Sequence, residues 1–335
     1  MERPRLDDVA RAAGVSRTAV SYVLNGRGGV GEETRRHVLE VAGRLGYRHV
    51  RRSGAPAAPA AGTLGAALSP TRHEGETPNY YVAELLAGVE MEARAQGYGV
   101  SVAMWEDQRP ASLPARNVDA MLFLGGAFDP AALRALEMPW MLVGTSFSQL
   151  RGDAVLADNR RGAYLATRHL LDEGCRRLAF VNGPRTAPTS DSKWLGVRDA
   201  LFGTGVEADV PTRQVDFSPE AGETAARELL DVPAASRPDG IVVADDAIAV
   251  GVLHAAAALG VDVPRELAVA GFGDSPVGAM LRPALSSVRV FQQQMGRLGV
   301  RRLLERLEGR AEGDVRILVN PELVPRESSR RRPTR

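Results

Sequence analysis

The stretch from Leu6 to Asn25, LDDVARAAGVSRTAVSYVLN, constrains this chain most. Leu6, Val9 and Ala10 fall at i, i+3 and i+4, with Ala13 one turn further, which is the apolar face of a short helix. Gly14 follows, and glycine takes a positive φ without steric cost, so the chain is free to turn there. Val15 is apolar and plugs the turn, and Ser16 is a good N-cap for a second helix. Val20, Val23 and Leu24 give that helix its buried face and leave Arg17, Thr18, Ser21 and Tyr22 off it. Two short helices around a tight glycine turn make a helix-turn-helix, whose second helix enters the DNA major groove with its N-terminal residues at the base edges. Arg17 and Thr18 lead that helix, and Tyr22 lies one turn on.

Thr34 to Leu45 reads as a third helix with Val38, Leu39, Ala42 and Leu45 on its apolar side, and Glu32 and Glu33 sit at its positive N-terminal end. Charge is unevenly placed. Residues 1–53 carry 11 arginines against 6 acids, a net of +5, whereas the whole chain is +1. A small basic head on a mildly acidic body suits a module that neutralises phosphates. The length of 335 residues allows two to three domains, and 44% hydrophobic with 25% charged residues is ordinary for a soluble globular chain. Cys175 is the only cysteine, so an intramolecular disulfide is excluded, which fits a reducing compartment. No apolar run reaches transmembrane length, and the start MERPRLDD has no apolar signal core. A cytoplasmic location with no membrane partner is therefore expected. Lys193 is the only lysine, which reads as a compositional bias towards arginine.

From Thr63 the pattern changes. LGAALS, GVSVAM, VDAMLFLGG and PWMLVGT read as buried strands, with helices at Tyr80 to Gly97 and Pro130 to Leu136 between them. The cycle restarts with helices at Asn159 to Glu173, Ser192 to Gly203, Pro219 to Leu230 and Ala247 to Leu259. These alternate with CRRLAFVNGP, TRQVDF, DGIVVADD and LAVAGFGD. Strands alternating with helices signal parallel sheets, and two such cycles imply two Rossmann-like lobes that bind a ligand at the carboxyl ends of their strands.

LxDVAxxAGVSxxxVSxVLN resembles the start of the lactose-repressor (LacI/GalR) family of bacterial transcription regulators. ADNRRGAYLATRHLLDEGCRRLAFVNGP, PDGIVVADDAIAVGVLHAAAALGVDVPRELAVAGFGDSP and PALSSVRV resemble stretches of the same family's body, so the likeness runs over about residues 5–325. It implies an N-terminal three-helix helix-turn-helix domain joined to an α/β, periplasmic-binding-protein-like body of two lobes. The expected division is 1–47 for the head, 48–62 for the hinge or linker, and 63–325 for the body. Lobe 1 would be about 63–158 with 291–319, and lobe 2 about 159–290 with 320–325. Residues 326–335 read as a basic, disordered tail.

The implied function is a homodimeric repressor of the cytoplasm. It would bind an inverted-repeat operator in double-stranded DNA under control of a small effector, such as a sugar, held between the lobes. For DNA, Arg17 would read guanine, with Thr18 and Tyr22 adding shorter contacts. Ser16, Ser21, Asn25 and Thr34 would position the backbone. Arg48, Arg51 and Arg52 would track phosphates or lie in the minor groove, or else belong to a solvated linker. The family's hinge helix wedges a leucine into the minor groove. Here that position is Pro56, with Gly54 and Pro59 nearby, and proline in a helix interior costs about 3 kcal/mol. Little operator bending is expected. Gly31 replaces the usual serine after the loop, and Ala19 replaces a residue that often carries a hydroxyl.

For the effector, Lys193, Trp194, Asp245, Asp246, Phe272 and Asp274 match the family's cleft positions. Asp246 also fits a helix cap and Trp194 a core position. Three departures stand out: Gly273 for the first acid of the family's GFDD, Gly144 for a strand-end acid of lobe 1, and Asp191 where some sugar-binding members use arginine. Either the effector differs or effector control is lost. A solute-binding protein of the periplasmic type is the alternative from another class, and the helix-turn-helix counts against it. There is no GxxxxGK[ST], no GxSxG and no metal-ligand cluster among the 5 histidines, so no catalytic residue, cofactor or metal is expected.

Overall fold

The structure, a computed structural model, describes residues 6–16, 19, 20, 23, 31–45, 62–69, 80–105, 118–147, 149–205 and 210–331. In the head, α1 (Leu6–Ala13) ends at Gly14, whose φ is +64°, and the Val15 N–H closes the turn onto the Ala10 carbonyl. The Ala19 N–H donates to Ser16 Oγ at 3.1 Å, so Ser16 caps the next helical stretch, in which Ala19, Val20 and Val23 are helical. The helix α2 (Glu32–Arg44) starts at Gly31 with no side-chain cap, the consequence of a glycine where a serine would donate and accept. Val9, Ala10, Ala13, Val20, Val23, Val38, Val41 and Ala42 form the small core of the head. The expected face of α2 is corrected here. Val41 is buried while Leu39 and Leu45 are exposed at 50% and 38%, so the buried face runs through 38, 41 and 42, and of the expected 38, 39, 42 and 45 only 38 and 42 lie on it.

Among the described residues the body forms two six-stranded sheets. The first holds β1 (Gly62–Leu68), β2 (Tyr98–Met104), β3 (Ala120–Leu124), β4 (Trp140–Val143), β5 (Ala154–Ala157) and β11 (Arg316–Val319) in the order β11-β5-β4-β3-β1-β2, all parallel. The second holds β6 (Leu178–Asn182), β7 (Thr212–Gln214), β8 (Gly240–Val243), β9 (Ala268–Phe272), β10 (Ser286–Arg289) and β12 (Glu322–Val324) in the order β12-β10-β9-β8-β6-β7. Only β12 runs antiparallel to its neighbour. β5, β10, β11 and β12 have no assignment in the strand pattern above.

The chain crosses between the sheets three times. The first crossing follows β5 through α5 (Asn159–Asp172), the second follows β10 through α10 (Gln292–Leu307), and the third is the short step from β11 to β12. α3 (Tyr80–Ala95) packs against α10 at glycine contacts. A Cβ at Gly88 would strike the Gln293 carbonyl, and one at Gly296 the Leu85 carbonyl. Glu92, 4% exposed, takes hydrogen bonds from Arg297 and Arg301 across that helix pair. The Arg301 guanidinium, against the opposing pull of burial, brings its carboxyl down to about 2. Asp153 is also buried and accepts from Arg302, Arg306 and the Val315 N–H, which ties α10 to β5 and to the approach to β11.

The remaining α-helices among the described residues are α4 (Pro130–Arg134), α6 (Ser190–Leu201), α7 (Pro219–Leu230), α8 (Asp246–Ala258) and α9 (Pro276–Met280). The two outer faces are built differently. Trp105, Phe123, Phe128 and Trp140 make an edge-on aromatic cluster on the first sheet, with centroids 5.1–6.3 Å apart. Small and branched side chains of α7 and α8 cover the second. No described helix is long and apolar enough to cross a membrane.

Over residues 326–331 the structure corrects the expectation of a disordered tail, and residues 332–335 lie outside the described residues. Residues 326–331 form an ordered strap on the second sheet, and Ser328 and Ser329 are fully buried. The Ser328 hydroxyl donates to the Val269 carbonyl at 2.7 Å, and Ser329 Oγ lies 2.6 Å from both Ser286 Oγ and His169 Nε2. Arg331 donates to the Asp239, Glu266 and Pro264 carbonyls, and its N–H donates to Glu173. The polar composition that reads as a solvated tail instead satisfies carbonyls at the sheet's margin. Deleting residues 326–335 should therefore lower unfolding stability by at least about 2 kcal/mol, given roughly 0.5–1.5 kcal/mol per hydrogen bond lost. Urea denaturation of the truncated chain checks this, and an unchanged midpoint would show the strap to be dispensable.

Candidate functional site

The strand ends of the second sheet bring Lys193, Asp245, Asp246, Phe272 and Asp274 together. Lys193 lies in the first turn of α6 with its side chain buried at 6% exposure. Its Nζ donates to the Ala244 carbonyl at 2.8 Å, at the end of β8, and sits 4.3 Å from the centroid of the Phe272 ring, at the end of β9. Three residues on, Gly196 lets α6 approach α5, since a Cβ there would meet the Arg160 carbonyl. Burial pulls the Lys193 ammonium down to about 8, although Asp245 and Asp246 oppose the shift.

The two aspartates differ. Asp245 is the N-cap of α8, and its Oδ1 accepts from the Ala247 N–H at 2.8 Å. It is half-buried, and among the described residues it makes no other hydrogen bond and no ion pair. Burial, helped by the Asp246 charge, pushes its carboxyl up to about 6. Asp246 is 3% exposed and fully engaged. The Ser287 hydroxyl donates to its Oδ1 and the Ser275 N–H to its Oδ2, both at 2.6 Å, and Gly271 leaves room for the carboxylate beneath β9. Burial raises this carboxyl as well, against those hydrogen bonds. Asp246 thus ties α8 to β10 and to the loop after β9.

The other expected effector residues are occupied by the fold. Trp194 stacks on Phe180 with centroids 6.2 Å apart and planes 10° apart. Phe272 is 6% exposed and presses its ring against α5, where only a glycine fits at position 162. Asp274 has a φ of +51° and is held by Arg289 Nε at 2.7 Å and Arg326 Nη2 at 2.6 Å. Gly273 before it takes a φ of +126°, a conformation open to glycine. A cavity of about 260 Å3 lies beside this loop at the second crossing, with Glu84, Arg289, Phe291 and Gln292 in its wall. The Gln292 side-chain amide donates to the Gly273 carbonyl, and Phe291 shares the left-handed conformation of Asp274, with φ +53°.

In lobe 1 the sequence left Tyr81 unnoticed. Its hydroxyl lies 3.5 Å from the Gly144 carbonyl, and a Cβ at Gly144 would sit 2.6 Å from that hydroxyl. The place of a strand-end acid is therefore filled from α3 by a phenol, whose pKa burial pushes far up. Ser69 and Thr145 turn their hydroxyls to the Ala127 and Gly126 carbonyls. A tyrosine at the start of an amphipathic helix carries no sign in sequence of what it covers.

Of the expected DNA contacts, Ser16 and Thr34 are described. Ser16 spends its acceptor on the cap, and Thr34 is half-buried in the first turn of α2. Arg17, Thr18, Ser21, Tyr22, Asn25, Arg48, Arg51 and Arg52, with Gly54 and Pro56, lie outside the described residues. No group of three or more histidine, cysteine, aspartate or glutamate residues able to hold a metal occurs among the described residues.

A helix-turn-helix head on a two-sheet body crossed three times, with polar groups gathered at the strand ends, defines a DNA-binding regulator with a ligand-binding-type body. Comparison with known proteins agrees. Residues 5–49 match the family described as bacterial regulatory proteins, lacI family, and residues 167–329 match the periplasmic binding protein-like domain. The chain is 33% identical over 350 residues to an uncharacterized HTH-type transcriptional regulator in the aml 5' region of Streptomyces limosus, covering 97% of this chain and 94% of that one. It is 27% identical to the ribose operon repressor of Haemophilus influenzae, covering 96% and 98%. Among solved structures it resembles a complex of the transcriptional regulator CelR with cellobiose, at a TM-score of 0.73 and 29% identity, covering 97% of this chain and 100% of that one. The chain belongs to the LacI family of bacterial transcriptional regulators.

The Asp245 environment yields a test. Well below about pH 4 an aspartate is protonated whether the chain is folded or not, so burying it costs nothing. Between there and about 6 the unfolded chain gives up the proton while the folded one resists, and above about 6 the cost is complete. Asp245→Asn keeps a good cap and removes the cost, so it should stabilise the protein at pH 7 by about 1 kcal/mol, solvent reaching part of the side chain. The gain should shrink through pH 4 and vanish by about pH 2.5, well below the ordinary aspartate pKa. Paired melting curves at the highest and lowest of these pH values check this, and a gain of equal size at both would show that the charge is not its source.

Proposed function

We propose that this regulator is a homodimeric, cytoplasmic repressor whose operator affinity is set by a small polyhydroxyl effector held between the lobes. The observation that carries the effector reading is the unspent capacity of Lys193 and Asp245. Lys193 uses one of its three donors on a described residue, and Asp245 keeps one oxygen without a partner among the described residues. The two feel each other's charge without forming an ion pair. An effector hydroxyl placed between them would accept from the ammonium and donate to the carboxylate, a charge-assisted pair of hydrogen bonds. The cellobiose complex and the ribose operon repressor among its relatives support a sugar as the effector class. The same relatives support regulation over catalysis.

Trp194, Phe272, Asp246 and Asp274 serve this site by placement: they fix the wall from which Lys193 and Asp245 point. A ligand touching both lobes would shift the balance between two lobe arrangements, and linkage would carry that shift to the heads. A protein two-fold axis implies an inverted-repeat operator. An effector-independent regulator is the second reading, favoured by Tyr81 filling the space at Gly144.

Two measurements test this. Binding-site selection on the purified protein at a stated salt concentration should return an inverted repeat, and Arg17→Ala should weaken binding to it by about 1–3 kcal/mol while leaving the body folded. A panel of sugars should then raise the melting temperature of the wild-type chain and not that of Asp245→Ala. A repeat with no stabilising sugar would favour the effector-independent reading.

A further inference from the structure

Among the described residues the backbone turns left-handed at two that are not glycine, Asp274 with φ +51° and Phe291 with φ +53°. Both line the cavity of about 260 Å3 at the second crossing between the sheets. One hydrogen bond, from the Gln292 side-chain amide to the Gly273 carbonyl at 3.1 Å, joins their immediate neighbours. A side chain as large as phenylalanine is strained in that conformation, and such strain gathers at switch regions. Phe291 stands where the chain leaves one lobe for the other. β10 ends at Arg289 in the second sheet. By Gln293 the chain is fixed to lobe 1, its carbonyl against Gly88 of α3 and its side-chain amide donating to Glu84 at 2.8 Å. Two consecutive glutamines thus reach opposite ways, Gln292 to a loop of lobe 2 and Gln293 to a helix of lobe 1. Phe291 is also the N-cap of α10, and its carbonyl accepts from the Met295 N–H at 3.0 Å, so the first turn of that helix depends on its conformation. Neither of the other two crossings contains a described non-glycine residue with positive φ.

We propose that residues 291–293 form a two-position hinge. In the arrangement described here the two glutamine latches hold Phe291 strained. In the other the latches part, Phe291 relaxes to negative φ, and α10 turns with lobe 1 against the second sheet. The link from this hinge to operator binding rests on the reading of two lobe arrangements proposed above, and the hinge itself does not. Latch and strain oppose each other, so a small bias shifts the balance. The loop beside the hinge is stiff enough to pass a displacement on. Asp274 is held by Arg289 and Arg326, its N–H donates to Ser287 Oγ, and the Ser275 N–H donates to Asp246. Gly273 makes the latch possible, because its φ of +126° sets the carbonyl that Gln292 reaches, and a residue with a side chain would be strained there. The cavity gives the Phe291 ring room to move.

Hydrogen exchange on the full-length protein tests this, read by mass on peptides covering the 273–275 loop, the first turn of α10 and, as a reference, α8. Gln292→Ala and Gln293→Ala should each speed exchange in the first two by about 2- to 10-fold, the shift in an opening equilibrium that one hydrogen bond supplies, and leave α8 unchanged. Substitutions at Phe291 isolate the strain. Phe291→Ala removes the ring and keeps a Cβ in the left-handed region, whereas Phe291→Gly removes both. The glycine variant should exchange at least ~5-fold more slowly than the alanine variant in the same two peptides. A role in ring packing alone would make the two alike. Equal rates in those two variants, no acceleration in either glutamine variant, or an acceleration that extends to α8 overturns the hinge. The affinity of Gln292→Ala for the selected inverted repeat is then compared with that of the wild type. A changed affinity ties the hinge to the heads. An unchanged affinity with faster hinge exchange overturns the reading of lobe arrangement as operator control and leaves the hinge standing.

Discussion

The second lobe hangs on one buried carboxylate. Asp246 sits at the start of α8, takes the Ser287 hydroxyl from β10 and the Ser275 N–H from the loop after β9, and occupies the space that Gly271 leaves beneath its own strand. A carboxylate without those donors would cost several kcal/mol to bury. With them it draws three elements to one point. The neighbouring positions follow from that anchor. Asp245 is left at the helix start with one oxygen unspent, Phe272 ends its strand against Gly162, and Lys193 reaches over the ring to the end of β8.

From there the architecture explains how a ligand's presence would travel. The chain passes between sheets three times, and one hydrophobic cluster runs from Leu64 and Leu122 on the first sheet to Phe180 and Phe272 on the second, so the lobes are joined by packing as well as by backbone. The second passage carries the most constraint. β10 supplies Ser287 to the anchor and Arg289 to Asp274, and two residues later Phe291 takes a left-handed conformation before α10 begins. A bulky residue in that conformation is strained and persists only where its surroundings over-determine it. α10 then locks into lobe 1 through Glu92 and Asp153. The strap adds Arg326 to the other side of Asp274. The loop nearest the proposed effector site is thus held from both lobes and from the chain end, which suits a two-state response better than a gradual one.

Much of this was legible in the sequence because it depends on short-range pattern. The head's first turn, its glycine and its capping serine follow from residues within one helical turn of each other. The alternation of strands and helices follows from periodicity, and the missing cap of α2 follows from Gly31. The effector residues were legible only as candidates. Lys193, Trp194 and Phe272 have the same credentials on paper, yet one ring stacks on Phe180, one is wedged against a glycine, and only the amine keeps donors in hand. Residue type says what a side chain is able to do. Its neighbours, often 40 or more positions away, decide whether that capacity is already spent.

The sequence by itself determined the class of protein, the helix-turn-helix, the two α/β cycles and the cluster of polar residues at the strand ends. Local helix geometry, strand alternation and glycine placement are properties of neighbouring residues. Only the tertiary structure decided that Leu39 faces outward, that Tyr81 fills the space above Gly144, that Asp246 is an anchor while Asp245 is not, and that the arginine- and serine-rich chain end is a strap. Each of these depends on which distant backbone carbonyls, carboxylates and rings come within hydrogen-bonding or packing distance, and only the folded chain sets those distances.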